Sequence, residues 1–229
     1  MTDLLYSVGK NCPVCNREFM VTQVRSRLVK LKEDSDFCSY FRGVNPYYYT
    51  VWVCPHCGYA AQDSLFYKLA AGELAKISKF LHQRDVKLDL TGVRTREQAI
   101  DAYKLAIFYE ELIDIKASRL GGLYLRMAWL AREGEDTAAE QRALRRAVEC
   151  YEQALFREKL PIGHMTEVTL TYMVGELFRR IGEEDKALPY FSKVVSSPQA
   201  KLEGRILTMA RDGWQKIRAT RRNNESQTV

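Results

Sequence analysis

The 229-residue chain has only three histidines and six prolines, and it has no run of 18 apolar residues. A run of that length is the usual sign of a membrane-spanning helix, so the sequence predicts no membrane association. The first ten residues also lack a basic region followed by an apolar run, and we therefore expect no export signal and a cytoplasmic location. A hydrophobic content of 46% is ordinary for a folded soluble protein.

Several motifs of common enzymes are also missing. The sequence has no glycine-rich phosphate loop, no nucleophile elbow and no His-Glu-x-x-His zinc motif. The histidines are His56 inside a cysteine motif, His82 at the end of a predicted helix, and His164 near a predicted helix start. We interpret each of them as structural, and we expect that the protein is not an enzyme.

The net charge of +6 is not concentrated in one part of the chain. Residues 1–60, 61–133 and 134–229 each carry a similar small basic excess. A dedicated DNA-binding protein would usually concentrate this charge on one module. Only the end of the chain is locally basic, and we interpret residues 221–229 as a flexible basic and polar tail.

Two Cys-Pro-x-Cys motifs carry the strongest signal in the sequence. Their cysteines are Cys12, Cys15, Cys54 and Cys57. A two-residue gap places both sulfur atoms of a pair on one side of a tight turn, and two such pairs can bind one zinc ion tetrahedrally. The residues after each pair, Asn16 and Gly58, tolerate the left-handed backbone that such a turn needs. The sequence therefore predicts one structural Zn²⁺ ion.

A redox motif or a disulfide pair is the alternative interpretation of these cysteines. A thioredoxin-type motif has one Cys-x-x-Cys at the start of a helix, whereas this chain has two, each flanked by strand-like sequence. The remaining cysteines, Cys38 and Cys150, are interpreted as single structural thiols.

The segment between the two motifs is rich in residues that favour strands. Residues 19–31 and 47–53 are both β-prone, and the second run ends at the second cysteine motif. We therefore expect residues 1–60 to form a zinc ribbon, in which a small antiparallel sheet holds the two turns. A module with so few large aliphatic residues would depend on the metal for much of its stability.

Residues 61–220 have a helical pattern. Apolar residues at helical spacing predict helices over residues 60–81, from Thr95 onward, over 116–132 and 137–158, and over a last helix at 202–218. Gly175, Gly182, Ala187 and Phe191 are spaced as in the tetratricopeptide repeat (TPR), which this region resembles. A generic helical bundle is the alternative. The predicted fold class is thus α+β and mostly α.

The resemblance to TPR proteins implies a groove for a peptide, lined by the first helix of each pair. At the matching positions of the best repeat lie Thr169, Tyr172, Glu176 and Arg179. The last helix could instead cover this groove.

A second candidate surface lies in the ribbon. Arginines beside aromatic rings bind bases and phosphates by stacking and charge, and the candidates are Arg25, Arg27, Arg42, Tyr47, Tyr48 and Tyr49. The alternative interpretation is that the tyrosines pack on the helices while the arginines are solvated or paired with acidic residues.

The order of these motifs resembles the bacterial family labelled domain of unknown function 2225. The shared elements are the two Cys-Pro-x-Cys motifs, an Arg-x-Arg strand, Asp36-Phe37, and Asn45-Pro46 followed by Tyr49. The resemblance implies a bacterial cytoplasmic protein. We expect a non-enzymatic zinc-binding adaptor with a protein partner, or alternatively a binder of nucleic acid or a nucleotide. The sequence predicts neither the partner nor the oligomeric state.

Overall fold

The structure is a computed structural model that describes residues 4–84, 86, 88–114 and 116–227, with side chains as far as Arg222. The described residues form seven α-helices and six short strands. The helices take up most of the chain and the strands lie before the first helix. The predicted class, α+β and mostly α, is confirmed.

The strands form three separate antiparallel pairs. Each pair joins neighbours in sequence, so every connection is a hairpin or a loop. The pairs are β1 (Leu5–Asn11) with β2 (Glu18–Val24), β3 (Lys30–Glu33) with β4 (Ser39–Phe41), and β5 (Val51–Val53) with β6 (Ala60–Gln62).

The helices follow in one run along the chain. They are α1 (Ala71–Leu81), α2 (Arg96–Leu112), α3 (Ala117–Glu133), α4 (Thr137–Arg157), α5 (Glu167–Arg180), α6 (Glu184–Ser196) and α7 (Gly204–Gln227). Short 3-10 helices occupy Pro46–Tyr49 and Pro198–Leu202. The predicted long helices at 116–132 and 137–158 agree with α3 and α4 to within about one residue, whereas the TPR arrangement of the helices stays a prediction.

The chain divides into two compact units. One contains residues 1–34, 38–115 and 126–137, and the other contains residues 35–37, 116–125 and 138–229. The predicted division after residue 60 does not match these units, because α2 packs directly on β5 and β6 and shares their core.

The last helix continues to Gln227, although the sequence predicts a flexible tail from residue 221. Residues 228 and 229 of that predicted tail lie outside the described part.

Aromatic rings form the core of the first unit. The ring of Phe66 is fully buried and lies 5.0 Å from Tyr59, 5.6 Å from Trp52 and 5.8 Å from Phe19, measured between ring centroids. Tyr59 in turn contacts Tyr109 of α2 at 5.5 Å. These contacts attach both cysteine-bearing hairpins to the helix, since each hairpin contributes one or more rings.

A half-buried arginine holds the loop before α2 against the strands. The Arg94 guanidinium donates hydrogen bonds to the carbonyl oxygens of Leu90, Tyr48 and Val51, at 2.8, 3.0 and 2.7 Å. Burial lowers the pKa of Arg94 to about 10. The next residue, Thr95, caps α2 by accepting a hydrogen bond from the Gln98 amide, as its position at the predicted helix start suggested.

Three strand and helix boundaries differ from the sequence prediction. The strand predicted at residues 47–53 is a 3-10 helix followed by β5, because Asn45 caps the amide of Tyr47 and Pro46 favours a helical turn. The strand predicted at 19–31 ends at Val24. The helix predicted from residue 60 starts only at Ala71, because residues 60–62 pair with β5.

In the second unit, α5, α6 and α7 pack against one another around Phe191. The Phe191 ring is fully buried, and it lies where glycines on both neighbouring helices leave room. A Cβ atom at Gly175 of α5 would lie 3.1 Å from the ring, and one at Gly213 of α7 would lie 2.8 Å from it. The small residue that the TPR resemblance predicts at Gly175 therefore does allow close helix packing.

Replacing Gly213 with alanine should destabilise the second unit. The added methyl group would overlap a ring that has no room to move, which typically costs about 1–3 kcal/mol. Gly204→Ala in the same helix is the matched control, since no atom lies within 4 Å of its Cβ position. We expect Gly204→Ala to be neutral or slightly stabilising in urea unfolding. Equal midpoints for the two variants would contradict this packing argument.

Candidate metal centre

The two cysteine motifs fold into turns of the same kind. In the first turn the Asn16 amide donates to the Cys12 carbonyl at 2.9 Å, and in the second the Gly58 amide donates to the Cys54 carbonyl at 2.8 Å. Asn16 and Gly58 have φ values of 58° and 77°. The left-handed conformation predicted for both positions is confirmed.

The two turns bring four sulfur atoms together. All four Sγ atoms, from Cys12, Cys15, Cys54 and Cys57, lie within 4.8 Å of one another. Two of the separations, each between one cysteine of each motif, are 3.6 Å for Cys12 and Cys57 and 3.7 Å for Cys15 and Cys54. None of these cysteines forms a disulfide. The arrangement is compatible with a metal site.

The sulfur spacing fits a tetrahedral ion. A zinc–sulfur bond of about 2.3 Å places neighbouring sulfur atoms of a tetrahedron about 3.8 Å apart. These two observed distances are close to this value. A disulfide would instead need a sulfur pair at about 2.0 Å, so the spacing favours metal binding over oxidation.

Contacts between the sulfur atoms shift their pKa values in opposite directions. Hydrogen bonds from Cys12 and Cys57 lower the pKa of the Cys54 thiol to about 2. The hydrogen bond with Cys54 raises the pKa of Cys12 to about 12, and those with Cys12 and Cys54 raise the pKa of Cys57. A divalent ion bound among these sulfur atoms would stabilise their thiolate forms by charge attraction.

Two side chains connect the turns from outside the sulfur cluster. The His56 Nε2–H donates to the Glu18 carbonyl at 3.0 Å, and Arg17 donates to the His56 carbonyl at 3.1 Å. His56 is thus used to join the second turn to β2. No sequence pattern indicated this role of Arg17, because it depends on the two turns facing each other.

A bacterial family model matches residues 5–217 of the chain. Its description is an uncharacterized protein conserved in bacteria (DUF2225). The chain belongs to this family. The match includes both cysteine motifs and extends into α7, so the resemblance seen in the motif order is confirmed. No curated protein and no solved structure matches this DUF2225 chain.

The tyrosines of the second candidate surface are engaged in packing. The Tyr47 ring lies 4.9 Å from Trp129 and its hydroxyl accepts a hydrogen bond from the Ser39 amide. Tyr48 donates to Glu133 at 3.0 Å, and Tyr49 is buried. These contacts agree with the alternative in which the tyrosines pack on helices.

The three arginines of that surface are exposed and lie outside the strands. Arg25 and Arg27 follow the end of β2, and Arg42 follows β4. Arg25 lies over the ring of Tyr6, at 5.2 Å from the ring centroid. The hypothesis that these arginines and tyrosines bind nucleic acid or a nucleotide stays a prediction.

The predicted peptide groove is filled by the chain itself. Tyr172 and Glu176 of α5 are each only 1% exposed, and both contact the segment Ser35–Phe37. The Tyr172 hydroxyl donates to the Ser35 carbonyl at 2.8 Å, and the rings of Phe37 and Tyr172 lie 5.9 Å apart. Two of the groove candidates named from the TPR resemblance, Tyr172 and Glu176, are therefore covered by residues 35–37 on this face of α5.

Charged groups fix the same contact. Glu176 accepts the Ser35 hydroxyl at 2.6 Å, two hydrogen bonds from Arg179 at 2.7 and 2.8 Å, and one from Arg180 at 2.9 Å. Arg180 also forms an ion pair of 3.3 Å with Asp36, which is fully buried. The hydrogen bond to Glu176 raises the pKa of Arg179.

The fourth groove residue, Thr169, also has a partner within the chain. Its hydroxyl donates to Glu203 at 2.7 Å, and the Thr166 hydroxyl donates to the other oxygen of the same carboxylate at 2.8 Å. Sequence reasoning missed Asp36 and Glu203 as partners of α5, and it missed Arg180 of α5 as the partner of Asp36. Asp36 and Phe37 were visible as a family motif, but their role depends on contacts across more than 100 residues.

Among the described residues, no helix has the length and apolar content needed to span a membrane.

Cys38 and Cys150 are buried and form no disulfide. Their structural role stays a prediction.

Replacing Asp36 with asparagine should destabilise the second unit by about 3 kcal/mol, since it removes one partner of a buried ion pair. Asp185→Asn is the matched control. Asp185 pairs with Arg221 at 2.6 Å, but its side chain is 94% exposed, so its loss should cost about 1 kcal/mol or less. Chemical unfolding of both variants measures the difference, and a cost for Asp36→Asn no larger than for Asp185→Asn would contradict the assignment.

Proposed function

We propose that Cys12, Cys15, Cys54 and Cys57 bind one structural zinc ion in a protein that acts as a non-enzymatic adaptor. The observation that carries the metal part is the set of four sulfur atoms within 4.8 Å, with two pairs at the spacing of a tetrahedral zinc site. An all-sulfur ligand set suits zinc better than magnesium or calcium, which prefer oxygen ligands.

A structural role follows from the number of thiolates. Catalytic zinc sites keep a coordination position open for water or substrate, whereas four cysteines would fill the tetrahedral shell. Two of the four cysteines, Cys12 and Cys54, are also at most 1% exposed. The zinc would therefore join the two turns rather than activate water.

The ion would supply stability that the strands lack. Each sheet of the ribbon has only two strands, and an isolated pair of strands is marginally stable in water. Zinc binding contributes directly to folding where the site forms only in the folded state. The bound ion would join the β1–β2 turn to the β5–β6 turn and so support the aromatic contacts with α2.

The adaptor part of the proposal rests on the same closed ligand set together with the helices. Stacked helices such as those of the TPR family, which this region resembles, form extended surfaces that bind other proteins. The face of α5 that resembled a peptide groove already binds Ser35–Phe37. A partner would therefore use a different surface of the helices.

Cys12→Ser and Cys54→Ser should each abolish stoichiometric zinc binding. A serine hydroxyl is not a thiolate, and three sulfur ligands hold zinc much more weakly. We expect about one zinc ion per chain in the wild type by elemental analysis, and far less in each variant. Helical circular dichroism should be mostly retained.

Cys150→Ser is the control for this experiment, because Cys150 lies in α4 outside the sulfur cluster. It should keep the full zinc content. Zinc content that is unchanged in Cys12→Ser or Cys54→Ser would rule out the ligand assignment.

Affinity capture from the native host should recover a protein partner in stoichiometric amount. The wild-type chain, purified with its metal, serves as bait, and mass spectrometry of proteins and small molecules identifies what is retained. The Cys54→Ser variant is the comparison bait. Recovery of no protein, together with turnover of a substrate by the purified chain, would count against an adaptor.

A further inference from the structure

A groove lies between α6 and α7 on the surface of the second unit. Its volume is about 390 Å³, and it is lined by Ser192, Val195, Ser196, Arg211, Trp214 and Gln215. Val195 of α6 is 39% exposed and lies beside the Trp214 ring in this lining. The groove therefore offers an apolar floor with small serine side chains beside it.

The rim of the groove is basic. Arg211, Trp214 and Arg218 are spaced by three and four residues on α7, so they share one face of the helix. The Arg218 guanidinium lies over the Trp214 ring, 4.5 Å from its centroid. No carboxylate is among the lining residues.

These arginines are not neutralised within the described part of the chain. Among residues whose side chains are described, neither Arg211 nor Arg218 has an ion-pair partner. By contrast, Arg221 one turn further along α7 pairs with Asp185 of α6. Positive charge without an internal partner beside an exposed apolar floor favours a ligand that carries both negative charge and an apolar anchor.

We propose that this groove binds an acidic amphipathic helix of a protein partner. An apolar side chain of the partner would contact Val195 and Trp214, and its carboxylates would face Arg211 and Arg218. The lining residues come from two packed helices at helical spacing, and such grooves accept a third helix through residues spaced by three and four.

A neighbouring cavity lengthens this surface. It has a volume of about 550 Å³, shares Ser196 with the groove, and continues past Lys193 to the first turn of α5. Its lining carries Lys193 together with Glu167 and Glu203, and Lys193 pairs with Glu167 at 3.2 Å, so this cavity adds length but no net positive charge to the surface. The inference rests on the proposed adaptor function and names the surface and the chemistry of the partner.

The test is a selection from a display library of random peptides of about 16 residues, which span about 24 Å as helices. The bait is the full chain purified with its metal. We expect the selected peptides to be acidic relative to the library and to carry an aromatic or aliphatic anchor. Fluorescence anisotropy then measures their affinity for the wild type and for the charge-reversal variant Arg211→Glu/Arg218→Glu, which should bind at least tenfold more weakly.

Lys76→Glu/Lys79→Glu is the matched control, because it makes the same change in net charge on exposed residues of α1 in the other unit. It should bind the selected peptides as tightly as the wild type does. Selection of neutral or basic peptides, equal weakening in both variants, or failure to select any binder would each overturn the inference.

The same variants separate this inference from the adaptor proposal. If host capture recovers one set of proteins with both the wild type and Arg211→Glu/Arg218→Glu, the partner binds elsewhere and only the groove inference fails. Loss of those proteins with this variant but not with Lys76→Glu/Lys79→Glu supports both.

Discussion

The convergence of four sulfur atoms is the constraint on which the first unit depends. The two turns that carry them are more than 35 residues apart in sequence, and their hairpins are two-stranded. Such hairpins have little stability of their own. Their contact at the cysteine cluster, supported by the Arg17 and His56 hydrogen bonds, lets Trp52, Tyr59 and Phe66 pack as one core on α2.

The second unit is organised by a different interaction, the burial of charge. Asp36 and Glu176 are almost completely removed from water, and both are compensated by Arg180, with Arg179 as a further partner of Glu176. A buried charge is tolerated only with such partners. The contact therefore selects one specific segment, Ser35–Phe37, for the face of α5 that a TPR protein would use to hold a peptide.

The first unit contains the candidate metal site, and the second contains the helix surfaces considered for a partner. The four-cysteine cluster is compatible with a metal site, and residues 35–37 cover Tyr172 and Glu176 on the α5 face that resembled a peptide groove. Between α6 and α7 lies exposed apolar surface beside Arg211 and Arg218, which have no ion-pair partner among the residues whose side chains are described. The surface proposed for a protein partner is therefore formed by α6 and α7 rather than by α5.

The sequence by itself determined the four cysteines of the candidate metal site, the left-handed residues after each pair and most of the long helices, because each motif or helix pattern depends on residues close together in the chain. It also placed Gly175 at a close helix contact. Only the tertiary structure decided that Tyr47 packs on Trp129 and that Tyr172 and Glu176 contact residues 35–37. Those contacts join side chains 80 to 140 residues apart, roughly, and no local pattern specifies which distant segment fills a given helix face.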